Sequence, residues 1–345
     1  MPTPNPLHRA DVPKAVAFVP PLMLNVTDRF SKHAPPRKMS DIRIGTASWT
    51  DKSLIDSGRF YPREAKSAEA RLRYYAAQFP IVEVDSSYYA MPSPEVSRLW
   101  AERTPDNFLF NVKAFRLFTG HQTAPAALPK DIREALGPID KKNVYYKDVP
   151  EELRSQLWSR FREAIEPLRR AGKLGAVHFQ FAPWLAFHPE NFKHVDECIR
   201  ELEGHRLAVE FRNSSWFEGK HADRTLSFER ERDLVNVVVD GPQGFPNSVP
   251  AVWEVTCDAL AIVRLHGRNR ETWNQKGLTT SAERFNYDYP TLELEELAGK
   301  IETLSRNVRT TAVVLNNNYQ DQGQRNAREL MGIIARGGSG ASSGP

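Results

Sequence analysis

Short apolar, β-branched runs alternate along the chain with longer amphipathic stretches, and most of the runs finish on polar or charged residues. Examples are Ile81-Val-Glu-Val-Asp85, Phe108-Leu-Phe-Asn-Val-Lys113, Ala208-Val-Glu-Phe-Arg212, Val235-Asn-Val-Val-Val-Asp240, Ile262-Val-Arg-Leu-His266 and Val313-Val-Leu-Asn316. Continuous apolar runs bounded in this way are the pattern of strands covered on both faces. Strands are predicted at 42–47, 80–85, 107–113, 175–181, 206–211, 235–240, 260–266 and 311–316. Helices are predicted at 64–78, 94–103, 151–171, 190–203, 221–232, 291–306 and 321–336, with a weaker one at 245–252. Strand–helix alternation builds parallel sheets, and eight repeats predict a single closed (β/α)8 TIM barrel of the α/β class. An open doubly wound sheet is the runner-up. It lacks the Gly-rich turn after its first strand, so neither NAD nor a flavin is expected.

The barrel is assigned residues 41–336. Residues 1–40 are Pro-rich and aperiodic, and read as a disordered basic arm; 337–345 read as a flexible Gly/Ser tail. The formal charge of +4 does not belong to the barrel: Arg9, Lys14, Arg29, Lys32, Arg37 and Lys38 face only Asp11 and Asp28 within the arm. Global basicity is therefore no argument for nucleic acid. Cys198 and Cys257 have no metal or redox spacing and fit buried thiols in a reducing cytoplasm. The apolar run 15–26 is broken by Pro20-Pro21, too short to span a bilayer and without a cleavage site, so neither membrane nor secretion is expected.

Catalytic groups of such barrels lie at the carboxyl ends of the strands. Glu83, Asp85, Glu210 and Asp240 would bring four carboxylates to one mouth, fit for acid–base work, for a divalent cation or for an ion-pair ring. The metal candidates are Glu83, Asp85, Glu210, Asp240 and His266, with His178 or His121 as further nitrogens, although His178 sits deeper in its strand. Lys113, Arg212, Arg264 and Arg268 suit a phosphate or carboxylate, or else salt bridges to those acids. Gln180 lines the mouth, and Asn316 and Asn317 offer amides after the last strand, where barrels often hold phosphate. Trp49, Tyr88, Tyr89, Trp216, Trp273 and Tyr289 supply flat faces for a ligand with rings, Trp216 as a pocket wall. Two long connections, 114–150 and 267–290, read as lids or binding walls.

Gly45-Thr-Ala-Ser-Trp49, Phe60-Tyr-Pro62, Val82-Glu-Val-Asp-Ser-Ser-Tyr-Tyr89, Glu210-Phe-Arg212 with Trp216, and Arg264-Leu-His-Gly-Arg268 resemble the YecE-like family, domain of unknown function 72, across about 42–336. The resemblance implies a TIM barrel of unassigned activity, similar in fold to the metal-dependent endonuclease IV and xylose isomerase branch. The chain has Asp85, Tyr88 and Tyr89 where the family's usual pattern runs Glu-x-Asn-x-x-Phe-Tyr, so that Asp85 and Tyr88 depart from it, and it inserts Ala182 in Gln180-Phe-Ala-Pro183. The leading expectation is an enzyme that hydrolyses a phosphoester of a small sugar- or nucleoside-containing ligand. Glu83, Glu210 or Asp240 would serve as base or metal ligand and His266 as acid. The alternatives are a sugar isomerase or lyase using the same carboxylates, and a non-catalytic module that binds nucleic acid or a phospho-ligand. No nucleophile elbow or P-loop is present.

Overall fold

The computed structural model describes residues 41–138, 141–278 and 281–340. Its elements are β1 (Asp41–Ala47), α1 (Lys52–Ser57), α2 (Ala68–Ala76), β2 (Ile81–Val84), α3 (Ser86–Tyr89), α4 (Pro94–Glu102), β3 (Leu109–Lys113) and α5 (Lys130–Leu136). They continue with α6 (Glu151–Arg170), β4 (Leu174–Gln180), α7 (Pro189–Glu201), β5 (Leu207–Glu210), α8 (Lys220–Glu231), β6 (Val235–Asp240) and β7 (Leu260–Leu265). The last are α9 (Ser281–Arg284), α10 (Thr291–Ser305), β8 (Thr310–Leu315) and α11 (Gln322–Gly340). All eight predicted strands form. They pair in parallel and in chain order, and β8 closes onto β1. The fold is the expected (β/α)8 barrel.

Two apolar layers hold it. Ile81, Ala176, Ala208, Val235, Val237, Ile262 and Ala312 fill the lower barrel interior, and a larger layer packs the outer strand faces against the helices. Gly45 serves close approach: a Cβ there would stand 2.0 Å from the Ile81 carbonyl oxygen, inside the β1–β2 contact. Helix starts follow local chemistry. Ser67 and Ser93 accept from Ala70 N and Val96 N to cap α2 and α4, and Pro94 occupies the first turn of α4.

The weak helix expected at 245–252 does not form. Pro242, Pro246 and Pro250 remove donors there, and the segment runs as turns with Ser248 and Gln243 satisfying its backbone. The expected tail begins too early, since α11 continues through Gly340. The basic arm lies outside the described residues. The first long connection is a packed structure: it contains α5 and a Thr123–Val144 bridge, and its Phe118 stacks 3.6 Å from Trp158. Among the described residues no helix is long and apolar enough to cross a membrane.

Candidate functional site

Strand alternation decides which polar side chains enter the barrel. The register pairs Glu83 with Ala47 and Asn111, Lys113 with His178, Gln180 with Glu210, and Arg264 with Val239 and Val314. These residues share the inner face, one step above the apolar plug. Arg264, fully buried, is the centre of this layer. Its Nη2 donates to Glu83 Oε1 at 2.7 Å and its Nη1 to Glu210 Oε2 at 2.6 Å, with Gln180 Oε1 at 3.3 Å. His178 sits below, its Nδ1 2.9 Å from Glu83 Oε2 and its Nε2 3.2 Å from Glu210 Oε2, the second contact out of line for a hydrogen bond. The deep position expected of His178 is the observed one.

Burial alone would push both glutamates up. The Arg264 guanidinium outweighs it, helped by His178 at Glu83 and by His178, His266 and Arg212 at Glu210, and both stay well below the usual carboxylate range. Both are therefore ionised acceptors rather than bases tuned to neutral pH. His266 completes the layer. Its Nε2 lies 3.3 Å from Arg264 Nη1 and 3.5 Å from Arg212 Nη1, while Nδ1 is 2.7 Å from the Asn316 amide. Two guanidinium donors aimed at Nε2 require a lone pair there. The ring proton then belongs on Nδ1, with the Asn316 amide turned to present its oxygen. Burial, with Arg264 and Arg212, lowers the His266 pKa to about 3, against the pull of Glu210. A neutral imidazole of this kind is poorly suited to the acid role expected of it.

Above this layer the mouth opens. Arg212 donates Nη1 to Glu210 Oε1 at 2.8 Å and makes no hydrogen bond through Nε or Nη2 among the described residues; Trp273 lies 5.9 Å from its guanidinium carbon. Lys113 pairs with Asp85 at 2.5 Å, and the Asp85 side chain keeps 28% of its surface exposed against 0% and 1% for Glu83 and Glu210. His121, which sequence reasoning offered only as a stray nitrogen, reaches this region from the first long connection. Burial and the charges of Arg116, Lys113 and Arg212 lower its pKa to about 4.

Several expected residues lie elsewhere. Asp240 pairs with Leu265 on the outer face of the barrel. There it accepts Arg268 Nη2 at 2.8 Å and the Tyr289 hydroxyl at 2.7 Å, beside a separate groove of 610 Å³ on the α10 side. Arg268 and Tyr289 leave the mouth with it. Tyr289 also accepts from Gly267 N, and burial next to Asp240 pushes its hydroxyl pKa far up. Trp216 is no pocket wall: it is fully buried, stacked 3.8 Å from Phe211, and donates to the Leu185 carbonyl. Trp49 is likewise core, packed edge-on to Trp100. The Asn317 amide faces outward and holds Tyr287 O and Asn326 Oδ1 at 2.8 Å each. The metal set Glu83, Asp85, Glu210, Asp240 and His266 does not converge either. Arg264 takes the place between Glu83 and Glu210 that a cation would need, and among the described residues no group of three or more His, Cys, Asp or Glu is arranged to hold a metal ion.

Fold and site together define a (β/α)8 barrel protein with an arginine-bridged carboxylate layer beneath a cationic mouth. The chain belongs to the family described as protein of unknown function DUF72, whose model matches residues 43–343. It is 30% identical over 295 residues to UPF0759 protein YunF of Bacillus subtilis (strain 168), a match covering 85% of this chain and 94% of that one. UPF0759 protein YecE of Escherichia coli (strain K12) matches at 34% identity over 83 residues, 24% of this chain and 26% of its own. Crystal structures of DUF72 family proteins are similar throughout. One from Thermotoga maritima MSB8 has a TM-score of 0.66 at 28% identity, covering 86% of this chain and 99% of its own. One from Enterococcus faecalis V583 has a TM-score of 0.69 at 25% identity, covering 85% and 95%.

Proposed function

We propose that the mouth binds a small phosphorylated ligand carrying a sugar or base, and that the protein hydrolyses its phosphoester. One observation carries this reading: Arg212 is fixed through Nη1 to Glu210 and, among the described residues, keeps Nε and Nη2 without hydrogen bonds in the mouth, with the Trp273 ring beside it. A guanidinium held in this way offers an oriented fork to a phosphate. Lys113 adds a second cation and Tyr88 a flat face 5.6 Å from its ammonium.

Arg264 is scaffolding in this reading. It fixes Glu210, which fixes Arg212, and neutral His266 accepts from both arginines. Asp85 takes the base role expected of Glu83, Glu210 or Asp240, because it is the mouth carboxylate that water reaches. We place the protein in the cytoplasm, where buried free thiols such as Cys198 and Cys257 persist.

Phosphate release from sugar phosphates and nucleotides, together with hydrolysis of a chromogenic phosphodiester, tests the chemistry. Asp85→Asn removes the carboxylate at nearly constant size. It is expected to lower kcat about 100-fold or more, in the range of a lost general base, with KM little changed. Turnover of none of these substrates, or an Asp85→Asn enzyme as fast as wild type, would remove the hydrolytic reading and leave a binding site.

A further inference from the structure

We propose that the rim of the mouth carries a stacking track for single-stranded nucleic acid, formed by Tyr89, Tyr88, His121, Trp184 and Tyr145. The proposal rests on the mouth binding a phosphorylated ligand and names the class of that ligand.

Three separate segments build the track: α3 supplies Tyr88 and Tyr89, the connection after β3 supplies His121 and Tyr145, and the loop after β4 supplies Trp184. Successive ring centroids stand 4.9, 5.3, 5.7 and 6.4 Å apart, with each pair close to perpendicular, at 70 to 88°. Edge-on packing fixes the rings, each contact covering one face of one partner; His121 is buried at the joint, and the outer rings keep open surface. Trp184 is further held by its Nε1 donating to Gly120 O. Even so, Tyr89 is 51%, Trp184 54% and Tyr145 36% exposed. Large rings kept rigid and facing water on adjoining loops mark an interaction surface rather than a packing accident.

Charge decides between the polymers that such rings can hold. Lys113 and Arg116 lie 5.6 and 5.1 Å from the Tyr88 ring, and exposed Lys142 and Lys147 flank Tyr145 in the chain. Rings interleaved with cations match the alternation of bases and phosphates along a single strand. Lys113 already pairs with Asp85, but a neutral glycan would use the rings and make no use of the charges of Arg116, Lys142 and Lys147. A duplex would hide the base faces that the rings are placed to meet.

The test is fluorescence anisotropy of a labelled oligothymidylate, its matching duplex and a labelled mononucleotide, with a neutral oligosaccharide as competitor. The single strand is expected to bind more tightly than the duplex and to quench tryptophan fluorescence. Trp184→Ala is expected to weaken it about tenfold or more, Trp184→Phe to restore most of the affinity, and neither to alter mononucleotide binding. Trp184 is half exposed, so neither variant threatens the fold. Unchanged oligonucleotide affinity in Trp184→Ala, equal binding of the duplex, or displacement by the oligosaccharide would overturn the proposal. If the mononucleotide still binds in an Arg212-dependent way, the track alone is wrong. If no phosphorylated ligand binds, the reading of the mouth fails with it.

Discussion

Arg264→Leu is expected to cost about 3–5 kcal/mol of stability at pH 7, the usual penalty for stranding a buried partner charge. For a barrel of this size that is a fall in Tm on the order of 10 °C. The reason is geometric: one fully buried guanidinium bridges Glu83 and Glu210, at 2.7 and 2.6 Å, and its leucine replacement would leave Glu83 without that partner in a dry layer and Glu210 with Arg212 as its guanidinium. The pH dependence has a definite sign. Both carboxyls are held below their ordinary value of 4.5 in the folded protein, so their contribution is present above that pH and is lost as pH falls below it. Without Arg264, burial would instead raise both, and the variant would be least stable where they ionise. The gap between wild type and variant should therefore be wide at pH 7 and narrow towards pH 4. Thermal melts across that range check both halves. A variant within about 1 kcal/mol of wild type at pH 7, well short of that penalty, or a gap independent of pH, would show that Arg264 does not compensate the pair.

Glu229→Met is expected to do the opposite and stabilise the protein. Glu229 lies on the inner face of α8, fully buried, and neither carboxyl oxygen has a hydrogen-bond partner among the described residues. Burial, only partly offset by Arg230, raises its pKa well above 4.5. Holding a carboxyl protonated costs about 1.4 kcal/mol for each pH unit between its ordinary value and the working pH, up to its folded pKa. Stability from this group is therefore full below about pH 4.5 and declines as pH rises. Methionine matches the side-chain length and does not titrate. The Tm gain should be several degrees at pH 7.5, since a gain of 1–2 kcal/mol is enough for that, and should shrink towards pH 4.5. A loss of stability at every pH would mean that Glu229 has a partner worth more than its desolvation.

The strands were legible because each apolar run is continuous and ends abruptly in polar residues. Side-chain parity was legible only where the strand itself alternates. Glu210 with Arg212, and Arg264 with His266, stand two apart and share the inner face of the barrel, as their spacing predicts. Val235-Asn-Val-Val-Val-Asp240 has no such alternation, so only the cross-strand pairing with Leu265 shows that Asp240 points outward, taking Arg268 and Tyr289 with it. Trp216 and Asn317 fail for a related reason. A short 3-10 turn at Ser214–Phe217 folds Trp216 back onto Phe211, and Asn317 is one residue past the inward-facing Asn316. Such turns depend on contacts far along the chain. Trp184 left no periodic signal because it lies in a loop, where exposure is set by neighbouring loops and not by a repeat.

Calorimetric titration of wild type and Arg212→Lys with inorganic phosphate, a sugar phosphate and a nucleoside monophosphate tests the phosphate-binding mouth most directly. The lysine keeps the charge and loses the fork. At least one ligand is expected to bind wild type below millimolar Kd, and Arg212→Lys to weaken it about tenfold or more, with Tm within about 2 °C of wild type. If no ligand binds wild type more tightly than millimolar, or Arg212→Lys binds equally well, the mouth cations are structural partners of Glu83, Asp85 and Glu210 and the proposed function is wrong.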